Sequence, residues 1–310
     1  MTDARPKAAL QGNWATLLLP IADDESIDFG RLAEEIDLLV AAGVDGIYSN
    51  GTAGEFHNQS EREYDAIQTL LAERCGALPF VIGACQPDPS IARERVARAR
   101  TLAPAAIQVI LPDWWPVTDA EAIDFLELMA ESAGAVPLVL YNPPHAKRVL
   151  SPLELGRLVR AVPSVAGIKL ADGDAAWYAA AKAHLSGTAL FVPGHHLATG
   201  VSHGVAAGAF SNVACLSPSG AQAWTDRMAV DIESALDLER RICRFMDEHV
   251  VPFRTQHGYS NAALDKLLAA IGAWGPVGTR LRRPYRWIPE GEAARLRPIA
   301  RSLMPELFAT

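Results

Sequence analysis

Eight short apolar runs recur along the chain, separated by segments with helical patterning. They are "WATLLLP" (14–20), "GIYSNG" (46–51), "PFVIGAC" (79–85), "AIQVILP" (106–112), "PLVLYN" (137–142), "VAGIKLA" (165–171), "ALFVPG" (189–194) and "GAFSNV" (208–213). Most are near-continuous rather than alternating, the pattern of parallel strands covered on both faces. Strands alternating with helices make a parallel sheet, and eight such units predict an α/β fold of the closed (β/α)8 TIM-barrel type. An open doubly wound sheet is the competing architecture. It ordinarily carries a glycine-rich phosphate turn after its first strand, and "LLLPIADD" is not one.

The intervening segments carry helix punctuation. "FGRLAEEIDLLVAAG" spaces its apolar residues helically and ends on Gly43. "SERE" (60–63), "TDAE" (118–121) and "SPLE" (151–154) each match a capping box, the last with proline at the first helical position. After residue 231 the strand pattern stops. "ESALDLERRICRFMDEHV", "SNAALDKLLAAIG" and "EGEAARLRPIARSLM" read as helices, interrupted by "AWGPVGTRLRRPYRWIP". The expected organisation is a barrel over residues 1–231 and a helical extension over 232–310 packed on it, since a barrel takes about 250 residues as one unit.

A formal charge of −8 without a basic run argues against nucleic acid or an anionic membrane as a partner. "RERVARAR" reads as the solvated face of a helix. The four cysteines lack C-x-x-C spacing, as expected for reduced thiols in a cytoplasmic protein. The first 14 residues lack the apolar stretch of a signal peptide, and no run of 18 apolar residues predicts a membrane span.

Barrel sites are built at the C-terminal ends of the strands. Those positions hold Asn50-Gly51-Thr52-Ala53-Gly54-Glu55, Asp113-Trp114-Trp115, Tyr141-Asn142-Pro143-Pro144, Lys169, Gly194-His195-His196 and Ser211-Asn212. His195 and His196, read as the end of a strand, would point to opposite faces, and no carboxylate cluster adjoins them. No metal site is predicted, and the pair is expected to be hydrogen-bonded at the barrel mouth. Lys169 sits inside an apolar run. Desolvation there disfavours the ammonium and brings the amine toward neutrality at pH 7, where it can attack a ketone and form a Schiff base. The alternative is a structural lysine paired with Glu55 or Asp172. The glycines of "GTAGE" let backbone approach an anion, so its N–H groups can hold a carboxylate.

Together "GTAGE", "YNPP" and "GIKLADGD" resemble the dihydrodipicolinate synthase/N-acetylneuraminate lyase family of Schiff-base aldolases, and the likeness runs from "LLLP" to "LRRPYR". The resemblance implies a (β/α)8 barrel with C-terminal helices, a homo-oligomer (dimer or tetramer), and no metal or organic cofactor. It implies that Lys169 forms the imine with pyruvate or another 2-oxo acid, that Tyr141 moves the proton, and that Thr52 relays beside it. The backbone of Gly51, Thr52 and Ala53 is then the carboxylate cradle, and Phe210 is a wall of the substrate site. The second partner is an aldehyde.

Departures from the family pattern concern specificity. Ala53 replaces a threonine. Trp114 stands where the synthases supply a tyrosine across a subunit interface, and indole cannot relay a proton. Ala146 occupies the place of an arginine that grips the synthase substrate, flanked by His145 and by Lys147-Arg148. These changes argue against dihydrodipicolinate synthase activity. Trp114 and Trp115 suggest an apolar acceptor end, with His145 beside it, or else an interface between copies of the chain. A 2-oxo acid dehydratase or hydratase-aldolase of the same family is the alternative within enzymes. A non-catalytic barrel that binds 2-oxo acids is the alternative outside them.

Overall fold

In a computed structural model, which describes residues 10–309, all eight apolar runs become strands. These are β1 (Gly12–Thr16), β2 (Gly46–Ser49), β3 (Phe80–Gly83), β4 (Ala106–Ile110), β5 (Leu138–Asn142), β6 (Val165–Leu170), β7 (Ala189–Phe191) and β8 (Gly208–Ser211). Each pairs in parallel with its sequence neighbour, and β8 pairs with β1, so the sheet closes. The closed order excludes the open doubly wound sheet. The N-terminal stretch read as lacking a signal peptide lies, through residue 9, outside the described residues.

Helices cover the outside: α1 (Phe29–Ala41), α2 (Glu61–Arg74), α3 (Pro89–Ala99), α4 (Asp119–Ala133), α5 (Pro152–Ala161), α6 (Ala175–His184) and α7 (Leu197–Ser202). The capping boxes predicted at Ser60, Thr118 and Ser151 all form, starting α2, α4 and α5. After β8 the chain is helical: α8 (Asn212–Leu216), α9 (Pro218–Met228), α10 (Ile232–Phe245), α11 (Val251–Thr255), α12 (Asn261–Gly272) and α13 (Glu290–Leu303). A π-helical turn, Met246–Val250, joins α10 to α11, and α12 packs between α8 and α13.

Two apolar layers follow from the alternation of side chains along each strand. Outward-facing residues such as Ile47, Ile82, Ile107, Leu140 and Ile168 meet the helices. Inward, Trp14, Tyr48, Val81, Ala106, Val139, Phe191 and Phe210 fill the barrel. Gly46 is required by this interior, because a Cβ there would lie 2.4 Å from the Trp14 ring.

The first strand differs from its apolar run. It starts at Gly12 and ends at Thr16, before Leu17–Leu19. Those leucines are buried in the apolar core beyond the end of the strand, so hydrophobicity continues where the sheet does not. Among the described residues no helix is long and apolar enough to cross a membrane, and the cysteines form no disulfide.

Candidate active site

Lys169 lies on β6 opposite Tyr141 on β5 and Phe191 on β7. Residues level with one another in parallel strands point to the same face, here the interior. The Lys169 Nζ lies 4.4 Å from the Tyr141 ring centre, 4.9 Å from that of Tyr48 and 5.4 Å from that of Phe210. Phe210 is fixed by stacking on Phe191, with ring centres 4.5 Å apart, and by Tyr48 at 4.4 Å.

Neither carboxylate considered for Lys169 reaches it. Glu55 accepts from Lys266 Nζ at 2.6 Å. Asp172 accepts from the Tyr178 hydroxyl at 2.6 Å and lies 2.8 Å from His196 Nδ1. Lys169 has no ion pair among the described residues. Burial therefore governs it, bringing its pKa down to about 8 against the opposing pull of Cys85, Asp265 and Cys215.

The Tyr141 phenol is pushed up to about 12, chiefly by burial, while a hydrogen bond from Thr52 pulls the other way. It is therefore a protonated phenol near pH 7, with a hydroxyl partner in place. Gly51 lies directly over Tyr48, since a Cβ there would come 2.3 Å from the Tyr48 hydroxyl. Below, that hydroxyl meets the side chain of Gln108. Ala53 is buried in the same loop. Neither Thr52 nor Ala53 gives its backbone N–H to an acceptor among the described residues. Unpaired N–H groups on successive residues suit an anion.

Two cavities meet at Tyr141. One, of about 260 Å³, contains Lys169, Phe210, His195, Asn212 and the α12 residues Leu264, Asp265 and Leu268. The other, of about 150 Å³, is mostly apolar, with Thr52, His145 and Arg148 among Phe56, Ile110, Leu111 and Val117. Ala146 lines it as well. Arg148 meets Asp119 and Glu154, the latter at 3.1 Å, and Lys147 Nζ donates to the Trp114 carbonyl at 2.6 Å. Both cations flanking residue 146 are thus already engaged within the chain.

Trp114 belongs to neither cavity. It is 86% exposed and its neighbour Trp115 79%, so neither forms an acceptor end within this chain. The histidine pair also differs from expectation. Strand β7 ends at Phe191, and His195 and His196 sit on a 3-10 turn, Gly194–His196, rather than on a strand. Both are hydrogen-bonded there. Asn212 Nδ2 lies 2.9 Å from His195 Nδ1, and burial lowers the His195 pKa to about 4. His196 is raised to about 10 by its hydrogen bond to Asp172 and a second to Cys243. Among the described residues no group of three His, Cys, Asp or Glu side chains could hold a metal ion.

Sequence reasoning overlooked Asp265 and Lys266. Their signal was present: two adjacent charges in "NAALDKLLAAIG", a helix otherwise apolar nearly all round.

Comparison with known proteins adds the relationship. A family model described as "Dihydrodipicolinate synthetase family" matches residues 9–299. The N-acetylneuraminate lyase of Salmonella typhimurium is 26% identical over 167 residues, 54% of this chain and 56% of that protein. The chain thus spans about half the length of the curated relatives it matches. A prophage protein of the dihydrodipicolinic acid synthase family from E. coli K12, solved in complex with pyruvate, superposes with a TM-score of 0.80 at 23% identity, covering 96% of this chain and 99% of that one. Dihydrodipicolinate synthase from Bacteroides thetaiotaomicron gives 0.82 at 20% identity, with 95% and 99% covered. At these identities the two structures establish the fold.

Proposed function

Because the chain belongs to the dihydrodipicolinate synthetase family, we propose that it is a lyase of the aldolase type that forms a lysine imine with pyruvate or a related 2-oxo acid and cleaves or forms the adjacent C–C bond. The observation that carries this reading is the setting of Lys169: an amine among three aromatic rings, without a carboxylate partner, facing a cavity it shares with Tyr141.

The uncharged amine attacks the ketone carbon of the 2-oxo acid, whose carboxylate rests on the Thr52 and Ala53 N–H groups. Loss of water gives an iminium. As that water leaves, Tyr141 gives its proton to the departing hydroxyl. In cleavage, the phenolate so formed takes the proton of the substrate hydroxyl as the C–C bond breaks, and the electron pair of that bond flows into the iminium to leave an enamine. Protonation and hydrolysis then release the 2-oxo acid and regenerate the amine. Thr52 keeps the phenol oriented throughout. Lys169 is itself the electron sink, so the scheme requires neither metal nor organic cofactor.

Borohydride added together with pyruvate is the direct test. The expected result is a stable adduct on Lys169, located by peptide mass spectrometry; an unmodified Lys169 sinks the reading. Product analysis separates bond cleavage, which yields an aldehyde, from loss of water, which does not. The exposure of Trp114 and Trp115 favours the second role considered for them, a contact between copies of the chain.

A further inference from the structure

The cavity holding Lys169 is closed on its far side by the C-terminal helices, not by the barrel. Met246 and Val250 come from the π-helical turn, and Leu264, Asp265 and Leu268 from α12. Amid these apolar neighbours, a half-buried carboxyl group is out of place unless something meets it, because a partly desolvated charge without a partner is disfavoured.

The Asp265 side chain has no hydrogen bond or ion pair with any described residue. The polar side chains around it are otherwise occupied. Asn212 accepts from the His195 N–H at 3.1 Å and donates toward His195 Nδ1 at 2.9 Å. Arg254, at the mouth, donates to Asn261 Oδ1 at 3.4 Å. Lys169, across the same cavity, lies beyond ion-pair distance. Burial lifts the Asp265 carboxyl to about 7, with Lys169 opposing.

The orientation of Asp265 is also fixed. The adjacent Lys266 is clamped to Glu55 at 2.6 Å and to the Arg280 carbonyl at 2.6 Å. Helix α12 therefore cannot roll to carry Asp265 away from the cavity. A 2-oxo acid with its carboxylate at Thr52-Ala53 and its ketone at Lys169 has its remaining atoms directed into this space, since Thr52 lines only the opposite cavity.

We propose that Asp265 is a specificity-determining residue, whose carboxyl receives a hydrogen-bond donor, hydroxyl or ammonium, on the aldehyde half of the substrate and disfavours a carboxylate there. This rests on the imine reading of Lys169 given above.

The test compares kcat/KM for condensation of pyruvate with glyceraldehyde, 3-aminopropanal, propanal and succinic semialdehyde in the wild type, Asp265→Asn and Asp265→Leu. Borohydride tagging of the wild type and circular dichroism of each variant run alongside. The wild type is expected to favour one or both donor-bearing aldehydes over propanal, and the pair of arms tells hydroxyl from ammonium. Asp265→Leu is expected to lose that preference by about 10–100-fold, the range for a hydrogen bond to a charged group. Asp265→Asn, which keeps the size and removes the charge, is expected to raise the relative use of succinic semialdehyde. Wild-type tagging at Lys169 with the same aldehyde ratios in folded Asp265→Asn overturns the role of Asp265 alone. Absence of wild-type tagging overturns it together with the imine reading.

Discussion

Glu55 and Lys266 form an ion pair of 2.6 Å, with side chains 2% and 0% exposed, tying the loop after β2 to helix α12. The loop that offers its N–H groups to an anion and the helix that closes the Lys169 cavity are thereby held as one piece. Removing one partner leaves a buried charge uncompensated. Lys266→Met is expected to destabilise the fold by about 3–5 kcal/mol, measured by urea unfolding. The double variant with Glu55→Gln is expected to recover part of that loss, and no recovery argues against the pair.

Lys169 is predicted to react as an amine of depressed basicity. Its pKa of about 8 lies below that of an ordinary lysine, so the uncharged nucleophile accumulates as pH rises through about 8. The rate of borohydride-trapped pyruvate adduct is expected to climb to a plateau above that pH. A midpoint near 10 instead contradicts the enclosure described for the site.

The aromatic wall is predicted to set that midpoint. Phe210→Ala admits water beside the amine, weakening the desolvation that depresses it. The trapping midpoint should move upward toward the ordinary lysine value. The same change empties a core position and should lower stability by about 3–5 kcal/mol. Both shifts are read on one variant, by pH profile and by unfolding.

Tyr141→Phe keeps the ring that packs on Lys169 and deletes the hydroxyl. Turnover of an aldol substrate should fall by about 100- to 10,000-fold, the usual contribution of a positioned proton donor or acceptor. Stability should change little. Steady-state kinetics beside a melting curve check this, and undiminished turnover removes Tyr141 from the proton path.

The Asp172–His196 pair predicts a specific pH dependence of stability. The folded imidazole titrates near 10, above its ordinary value of about 6.5. Its contribution is fully present below about 6.5 and is lost as pH rises through about 10. Wild-type stability should therefore carry a downward slope in that window, and Asp172→Asn should flatten it. Chemical denaturation at a series of pH values measures the slope.

Much of this architecture was legible in the chain. Near-continuous apolar runs located every strand, because a parallel strand covered on both faces has no polar side to show. Ser60, Thr118 and Ser151 marked helix starts because capping chemistry is local. The partners of Glu55 and Asp172 were not legible. Both depend on how α12 and the turn after β7 settle on the barrel, which no local pattern records. Leu17–Leu19 misled for a related reason: burial beyond the end of a strand and burial in a sheet leave the same apolar signature. Asp265 escaped because a charge in a helix ordinarily faces water, and only the docking of α12 turns it toward Lys169.

Tyr141 and Lys169 sit level on neighbouring strands, so their separation follows from the roughly 4.8 Å repeat of a hydrogen-bonded sheet. That interval is common to every closed parallel barrel and cannot drift without tearing the ladder between β5 and β6. Chemistry at this site is thus anchored to the rigid lattice of the protein. Any widening of the range of molecules it accepts must come from the parts that are free to vary, the loops above the strands and the α12 face opposite them.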